Sequence, residues 1–329
     1  MSSSQQTIAQ LKMQYKVLGG KGPFPRLKAD WVKELSKLEK KKKSSKKLPI
    51  AKKKSNNTIR FMTLNLCNEG PARGKVGAIR WAALIRESKA QIVALQEISD
   101  PLKSQTLDTL DTKSDFSLIH NIARALDWKV FSVNKEAATG VITCFSLMDQ
   151  RILLPNEKLV NVISVHLPDS PYQIAQLTGV DYNGAPQLHT EKEAVQSACK
   201  LRCGTIQKLL GSLDSETATI VMGDFNEASH LDWTSEAESK SLVPLAVRWP
   251  ITRLFEKHGF YDVFRQKHPN ATKTLGFSYP SPGWKESFGM PARIDYIFSS
   301  SPNIVDAKVF YDKKSWPSDH CAVIGDIYF

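Results

Sequence analysis

The sequence predicts an α/β fold over residues 58–329, and three observations predict it. Apolar runs of β type alternate with helix-like stretches. Most of those runs finish in a polar residue that a core would not select. The connecting loops are rich in Pro, Gly, Asn and Ser, notably 167–186 and 279–291.

The strand-type runs fall at 59–64, 92–95, 141–145, 160–167, 219–222, 294–298, 304–311 and 322–329. Helical spacing marks 75–87, 118–126 and the long stretch 191–213. No internal repeat stands out, and neither GxxxxGK nor GxGxxG occurs.

Composition narrows the class. The chain has 329 residues, 41% hydrophobic and 24% charged, as in a water-soluble globular protein. No run approaches the ~18–20 apolar residues of a membrane span, and MSSSQQTIAQ has no apolar signal core. Five cysteines without a CxxC pair fit a reducing, intracellular compartment and argue against a disulfide scaffold. Cys199 and Cys203, one helical turn apart and without further ligands, read as core residues. A monomer is expected.

The net charge of +12 is concentrated at one end. Residues 1–58 carry +13 and residues 59–329 carry −1. A basic arm on a neutral body reads as a tether for a polyanion. Within it, Ile8, Leu11, Tyr15 and Leu18 fall at helical spacing, Gly19–Pro23 ends that helix, and Trp31, Leu35 and Leu38 share a second face. Helix, basic glycine-containing loop, helix resembles a SAP-type nucleic-acid-binding module over 1–38, with Lys21, Arg26 and Lys28 at the loop and second helix. The bland alternative is a helical hairpin that docks on a protein. Residues 39–57 hold nine Lys, Lys41, Lys42 and Lys43 among them, and almost nothing apolar. That segment reads as a disordered linker, a nuclear-import signal or a phosphate clamp.

The polar residues at the run ends carry the chemistry. RFMTLN ends at Asn65, IVALQE at Glu97, VISVH at His166, and TIVMGDFN at Asp224 and Asn226. Asp295 lies inside ARIDYIF, and Asp319 and His320 precede the last run. α/β sheets place their chemistry at strand ends. Converging carboxylates and amides are oxygen ligands for a hard divalent cation, and a nearby His and Asp handle protons.

TLN, LQE, VHLPD, GDFN, RIDYIF and SDH, in this order over residues 58–329, strongly resemble the endonuclease/exonuclease/phosphatase superfamily. Its members include deoxyribonuclease-I-like nucleases, abasic-site endonucleases, sphingomyelinases and inositol-polyphosphate phosphatases. The resemblance implies a four-layer, two-sheet α/β sandwich with helices outside. It implies a Mg²⁺ (or Mn²⁺) held by Glu97 with Asn65 and Asp319 beside it. Asp224 and Asn226 would align water and phosphate. His320, paired with Asp295, would contact the phosphate, and His166 would stabilise or protonate the leaving oxygen. Arg202 and Arg293 are candidates for phosphate contact or, more simply, structural residues, and His230 either contacts substrate by shaping the pocket or serves as a cap. The chain departs from the pattern at CFSLMDQR, where many members carry Ser-Arg; Arg151 is the substitute on offer. Glu136 is the one candidate for a second acid near His166. The expected activity is hydrolysis of phosphodiesters, DNA foremost, with the arm holding nucleic acid and the protein working inside the cell, in the nucleus or on DNA. The alternatives are a phosphatase or lipid phosphodiesterase whose arm meets an anionic membrane, or a non-catalytic binding protein.

Overall fold

The sandwich is built on strands whose alternate side chains serve two different cores. In the computed structural model, which describes residues 57–67, 76–99, 117–285 and 288–329, strand β1 (Thr58–Asn65) sends Ile59 and Phe61 one way and Met62 and Leu64 the other. Period-two alternation with both faces apolar belongs to a strand covered on both sides. Phe61 is fully buried, and its loss to Ala would cost about 3–5 kcal/mol. The SAP-like module at 1–38, its Lys21, Arg26 and Lys28, and the linker lysines 41–43 lie outside the described residues.

Helix α1 (Ala78–Ser88) and helix α2 (Ser117–Leu126) cover one sheet. Trp81, Leu84 and Ile85 of α1 and Ile119, Ile122 and Leu126 of α2 form the apolar stripe. The sheet itself adds β2 (Ile92–Gln96), β3 (Lys129–Asn134) and β4 (Thr139–Thr143). The second sheet holds β5 (Ser146–Met148), β6 (Arg151–Leu153), β7 (Leu159–His166), β8 (Ala218–Asp224), β9 (Tyr261–Asp262) and β10 (Asp295–Ser299). Strands β11 (Ile304–Phe310) and β12 (Ala322–Tyr328) return to the first sheet. The orders are β11-β12-β1-β2-β4-β3 and β5-β6-β7-β8-β10-β9.

All eight expected runs are strands. The four unexpected ones are β3, with its exposed alternate residues, and the two- or three-residue strands β5, β6 and β9. The sheets also share a pairing plan that the sequence does not display. In each, two central parallel strands (β1 with β2, β7 with β8) are followed by two antiparallel neighbours.

Between Gln173–Thr178 (α3) and the second sheet runs α4 (Glu191–Gly211). Its start is a capping box: the Thr190 hydroxyl accepts from Glu193 N, and the Glu193 carboxylate accepts from Thr190 N. Short helices α5 (Ser235–Ser239), α6 (Pro250–Lys257) and α7 (Val263–Lys267) follow. Ile206 and Leu210 of α4 and Ile251 and Phe255 of α6 pack on Val221, Tyr296 and Phe298 of the sheet. Cys203 lies in the core and Cys199 packs against it, as expected, and the two are joined as a disulfide on one face of α4; Cys67, Cys144 and Cys321 are free.

The faces turned toward the other sheet grade from apolar to polar. Ile92 and Ala94 give way to Gln96, Ile220 and Met222 to Asp224, and Val160 and Val162 to Ser164 and His166. Gln96 Nε2 donates to Ser164 Oγ at 3.0 Å across the two sheets. This polar end of the sandwich positions the site.

Candidate active site

Each side chain at that end is aimed by its own strand. Asn65 closes β1, and its Nδ2 donates to Glu97 Oε1 and to Asp224 Oδ2, both at 3.0 Å. Its Oδ1 accepts from Cys67 N at 2.9 Å. Glu97 follows β2 with φ 55°, a left-handed conformation that turns the chain out of the strand. Asn226 does the same after β8, with φ 49°. Its N donates to Asp224 Oδ1 and its Nδ2 to Leu167 O, each at 2.9 Å. Gly223 is required because a Cβ there would lie 1.9 Å from Val165 O. The β7–β8 approach thus dictates the glycine of GDFN.

Asp224 pairs in register with His166 on one side and Asp295 on the other. His320 Nδ1 lies 2.9 Å from Asp295 Oδ2, and its Nε2 lies 3.6 Å from Asp224 Oδ2 and 4.0 Å from Asp319 Oδ1. His166 Nε2 stands 3.8 Å from the same Asp224 oxygen. Burial alone would pull the His320 imidazole down, but Asp295, Asp224 and Asp319 together push it well above its ordinary value. Two serines lock the pair. Ser278 Oγ accepts from Asp295 N at 3.0 Å. Ser318 Oγ accepts from His320 N at 3.0 Å and donates to Asn65 O at 2.7 Å.

These groups open onto a cavity of about 510 Å³. Glu97, Glu136, Asp169, Asp224 and Asp319 line it with His166 and His320, and none of its described lining residues is Lys or Arg. Tyr172, Tyr182, Tyr279 and Phe288 supply an aromatic wall. The donor set fits a hard divalent cation, which carboxylate oxygens prefer. Asp224, Asp295 and His320 each place one donor atom within 4.8 Å of the others. Glu97 and Asp319 offer two further carboxylates on the cavity surface.

Several expected residues lie elsewhere. Arg293 does not line the cavity: Asp232 and Asp262 take its guanidinium, with contacts of 2.7–3.1 Å. Arg202 lies behind the wall, donating to Pro168 O at 2.9 Å and Gln173 Oε1 at 2.7 Å, with Glu227 Oε2 at 3.6 Å. His230 binds Thr252 and Glu256 beside a separate small cleft. Arg151 lies 3.7 Å from Asp214 and also misses the cavity. None of the four lines the cavity, and each is held by protein groups where it stands. Conversely, Glu227, Ser278, Ser318 and the aromatic wall escaped the sequence reading. Glu227 directly follows Asn226 and was the most accessible of them.

Fold and site together are those of an α/β-sandwich hydrolase. The model of the Endonuclease/Exonuclease/phosphatase family matches residues 62–320, and the chain belongs to that family. The Caenorhabditis elegans uncharacterized protein F14F9.5 is 25% identical over 313 residues, covering 84% of this chain and 93% of its own. Among solved structures, an endonuclease/exonuclease/phosphatase from Beutenbergia cavernae superposes with a TM-score of 0.53 at 18% identity, over 83% of this chain and 72% of that one. TDP2 from Caenorhabditis elegans gives 0.50 at 14%, over 100% and 94%. A 3'-5' exonuclease from Neisseria meningitidis gives 0.50 at 16%, over 82% and 100%. At these identities the structures share the fold. Among the described residues, no helix is long and apolar enough to cross a membrane.

Proposed function

We propose that the protein is a Mg²⁺-dependent phosphodiesterase that cleaves nucleic acid, DNA foremost. One observation carries the reading: Asp224 and the His320–Asp295 pair meet on a cavity whose described ionisable lining is five carboxylates and two histidines, with three tyrosines and no Lys or Arg. An anionic phosphate enters such a cavity only with a cation. A polyphosphorylated small molecule would need lysines and arginines that this lining lacks, whereas a single diester neutralised by one cation suits it. The aromatic wall offers ring faces to a base. The names of the neighbours, an exonuclease among them, accord with a nucleic-acid substrate.

Glu97 and Asp319 are assigned to hold the cation, with Asn65 orienting Glu97. Bound there, Mg²⁺ would supply positive charge to the phosphoryl and leaving oxygens. His320 Nδ1 is engaged by Asp295, so that histidine serves the phosphate rather than the metal. Its charged ring donates from Nε2 to a non-bridging oxygen, where negative charge grows. Asp224 accepts a proton from the attacking water as the new P–O bond forms and the ester P–O bond breaks, and the departing alkoxide takes its proton from solvent water. In-line attack sets the water and the leaving oxygen on opposite sides of phosphorus. A base and an acid only 3.8 Å apart do not span that arrangement. His166 is therefore assigned to the water side with Asp224, in place of the leaving-group role the family pattern suggests. Asn226 holds Asp224 through its backbone N. The +13 arm at 1–58 would bring polyanionic substrate to this site inside the cell.

The test incubates the purified full chain with plasmid, abasic duplex, single-stranded DNA, RNA, sphingomyelin and inositol phosphates, with Mg²⁺ and with EDTA. EDTA-sensitive cleavage of DNA is expected. Phosphate release from inositol phosphates, or choline-phosphate release from sphingomyelin, with DNA left intact would overturn the substrate assignment.

A further inference from the structure

The aromatic side of the cavity is a continuous file of rings. It starts at the imidazole of His320, whose centroid lies 4.9 Å from that of the Tyr279 ring. Tyr172 follows at 6.5 Å from Tyr279, Tyr182 at 5.9 Å from Tyr172, and Phe288 at 4.8 Å from Tyr182. All of them line the cavity. Tyr279 and Tyr172 are buried, whereas Phe288 at the far end is 44% exposed. A lone exposed phenylalanine on a protein surface carries no meaning. This one ends a file that begins at the reacting groups, in a cavity whose described charged lining is acidic apart from two histidines.

Phe288 is held from two directions. Its ring meets Tyr182 at 64° instead of stacking on it, and the Tyr182 hydroxyl is tied down by donating to Asp169 Oδ2. Gly289, the next residue, has φ 88° and approaches α3 so closely that a Cβ there would stand 3.1 Å from Ala175 N. The backbone that carries the exposed ring is thus pinned to α3.

A ring exposed at such a place is covered best by another flat apolar group, and in a nucleic acid that group is the base. Duplex base faces are covered by the stack, and freeing one costs unpairing and unstacking. Single-stranded bases offer their faces directly, and they stack on aromatic rings whatever the sequence. The charge of the lining favours the same form. A duplex carries one negative charge per about 1.7 Å of axis, counting both strands. Glu97, Glu136, Asp169, Asp224 and Asp319, with no described Lys or Arg among the lining residues, repel the phosphates of a second strand.

We propose that Phe288, braced by Tyr182, stacks on the base adjoining the scissile phosphate and makes the enzyme selective for single-stranded over duplex DNA. The proposal rests on the nucleic-acid reading of the site and specifies which form of that substrate it takes.

The test measures kcat/KM of the full-length protein with Mg²⁺ on one end-labelled oligonucleotide, free and annealed to its complement. Tm is recorded for every variant. Wild type should favour the single strand by about tenfold or more. In Phe288→Ala that ratio should fall by about fivefold or more, and Phe288→Tyr, which keeps a stacking face, should preserve it. A merely structural ring would lower Tm and both rates together and leave the ratio where it was. The proposal is overturned by a wild type that cleaves duplex as readily, by an unchanged ratio in Phe288→Ala, or by an equal loss in Phe288→Tyr. DNA cleavage that needs Mg²⁺ in any of those cases keeps the phosphodiesterase reading and removes the ring assignment alone. Cleavage of neither form by wild type removes the nucleic-acid reading and the assignment with it.

Discussion

Asp224 and Asp295 are register partners on adjacent antiparallel strands, and one imidazole serves both: His320 is 2.9 Å from Asp295 and 3.6 Å from Asp224. Two carboxylates this close are tolerated because a charged ring lies between them. Asp224→Ala and His320→Ala should each lower Mg²⁺-dependent turnover by at least about 10²-fold. The double variant should lose much less than the product of the two, since the groups act as a unit. Far-UV circular dichroism should show both singles folded. Near-normal rates in both would remove the mechanism.

The pH dependence has a definite sign. Although burial opposes it, the surrounding carboxylates hold the His320 pKa above its ordinary value. Asp295→Asn removes one of those carboxylates, so the ring should lose its proton at lower pH than in the wild type. NMR titration of the His320 ring in the metal-free protein reads this directly. The alkaline limb of the activity profile should move down in pH as well. An unmoved His320 titration would show that Asp295 does not hold the charge.

Glu227 supplies a stability test. Burial pushes its carboxyl up to about 7, against the Arg202 charge and the Ile251 N–H that oppose the rise. A folded pKa above the unfolded one means the proton is bound more tightly in the native state. Its contribution is complete below about pH 4.3 and is lost as pH rises through about 7. Glu227→Gln cannot titrate. Its stability relative to wild type should therefore improve between pH 5 and 8, by on the order of 1–3 kcal/mol. Urea melts at the two pH values measure the difference, and a constant gap would refute it.

The charge division predicts separable roles for arm and body. Phe329 N donates to Asn57 O at 3.0 Å, so the cut belongs before Asn57. Removing residues 1–56 should weaken DNA binding and flatten its salt dependence, each lost phosphate contact lowering the log–log slope by about 0.9. Hydrolysis of bis(p-nitrophenyl) phosphate should hardly change. An unaltered salt slope would assign the arm to another partner.

Much of the candidate site was legible because its polar side chains stand at the ends of apolar strands. Asn65, Glu97, Asp224 and His320 interrupt apolar runs where a core would not place them, and Gly223 is forced by backbone contact. Arg202 and Arg293 stayed open between phosphate contact and a structural role because a lone arginine in sequence carries no record of its partner. Asp232 and Asp262, which neutralise Arg293, lie 61 and 31 residues away. Tyr172 was invisible for a related reason: a tyrosine in an apolar stretch looks like core until the cavity it lines is seen. Strands β5, β6 and β9 are too short for any period to emerge.

The sheets differ in how the chain visits them. Strands β5 to β10 run consecutively through residues 146–299, so one sheet is a single uninterrupted stretch. The other is divided: β1 must wait for β12, with Thr58 paired to Tyr328 and Met62 to Ile324. Pairings of such separation in sequence carry the largest loop-closure cost among the described strands. The continuous sheet brings Asp224, His166 and Asp295 together by itself, while Asn65, Glu97 and His320 arrive only with the divided one. The proposed set of reacting groups is therefore complete only when the longest-range strand pairing among the described residues is made.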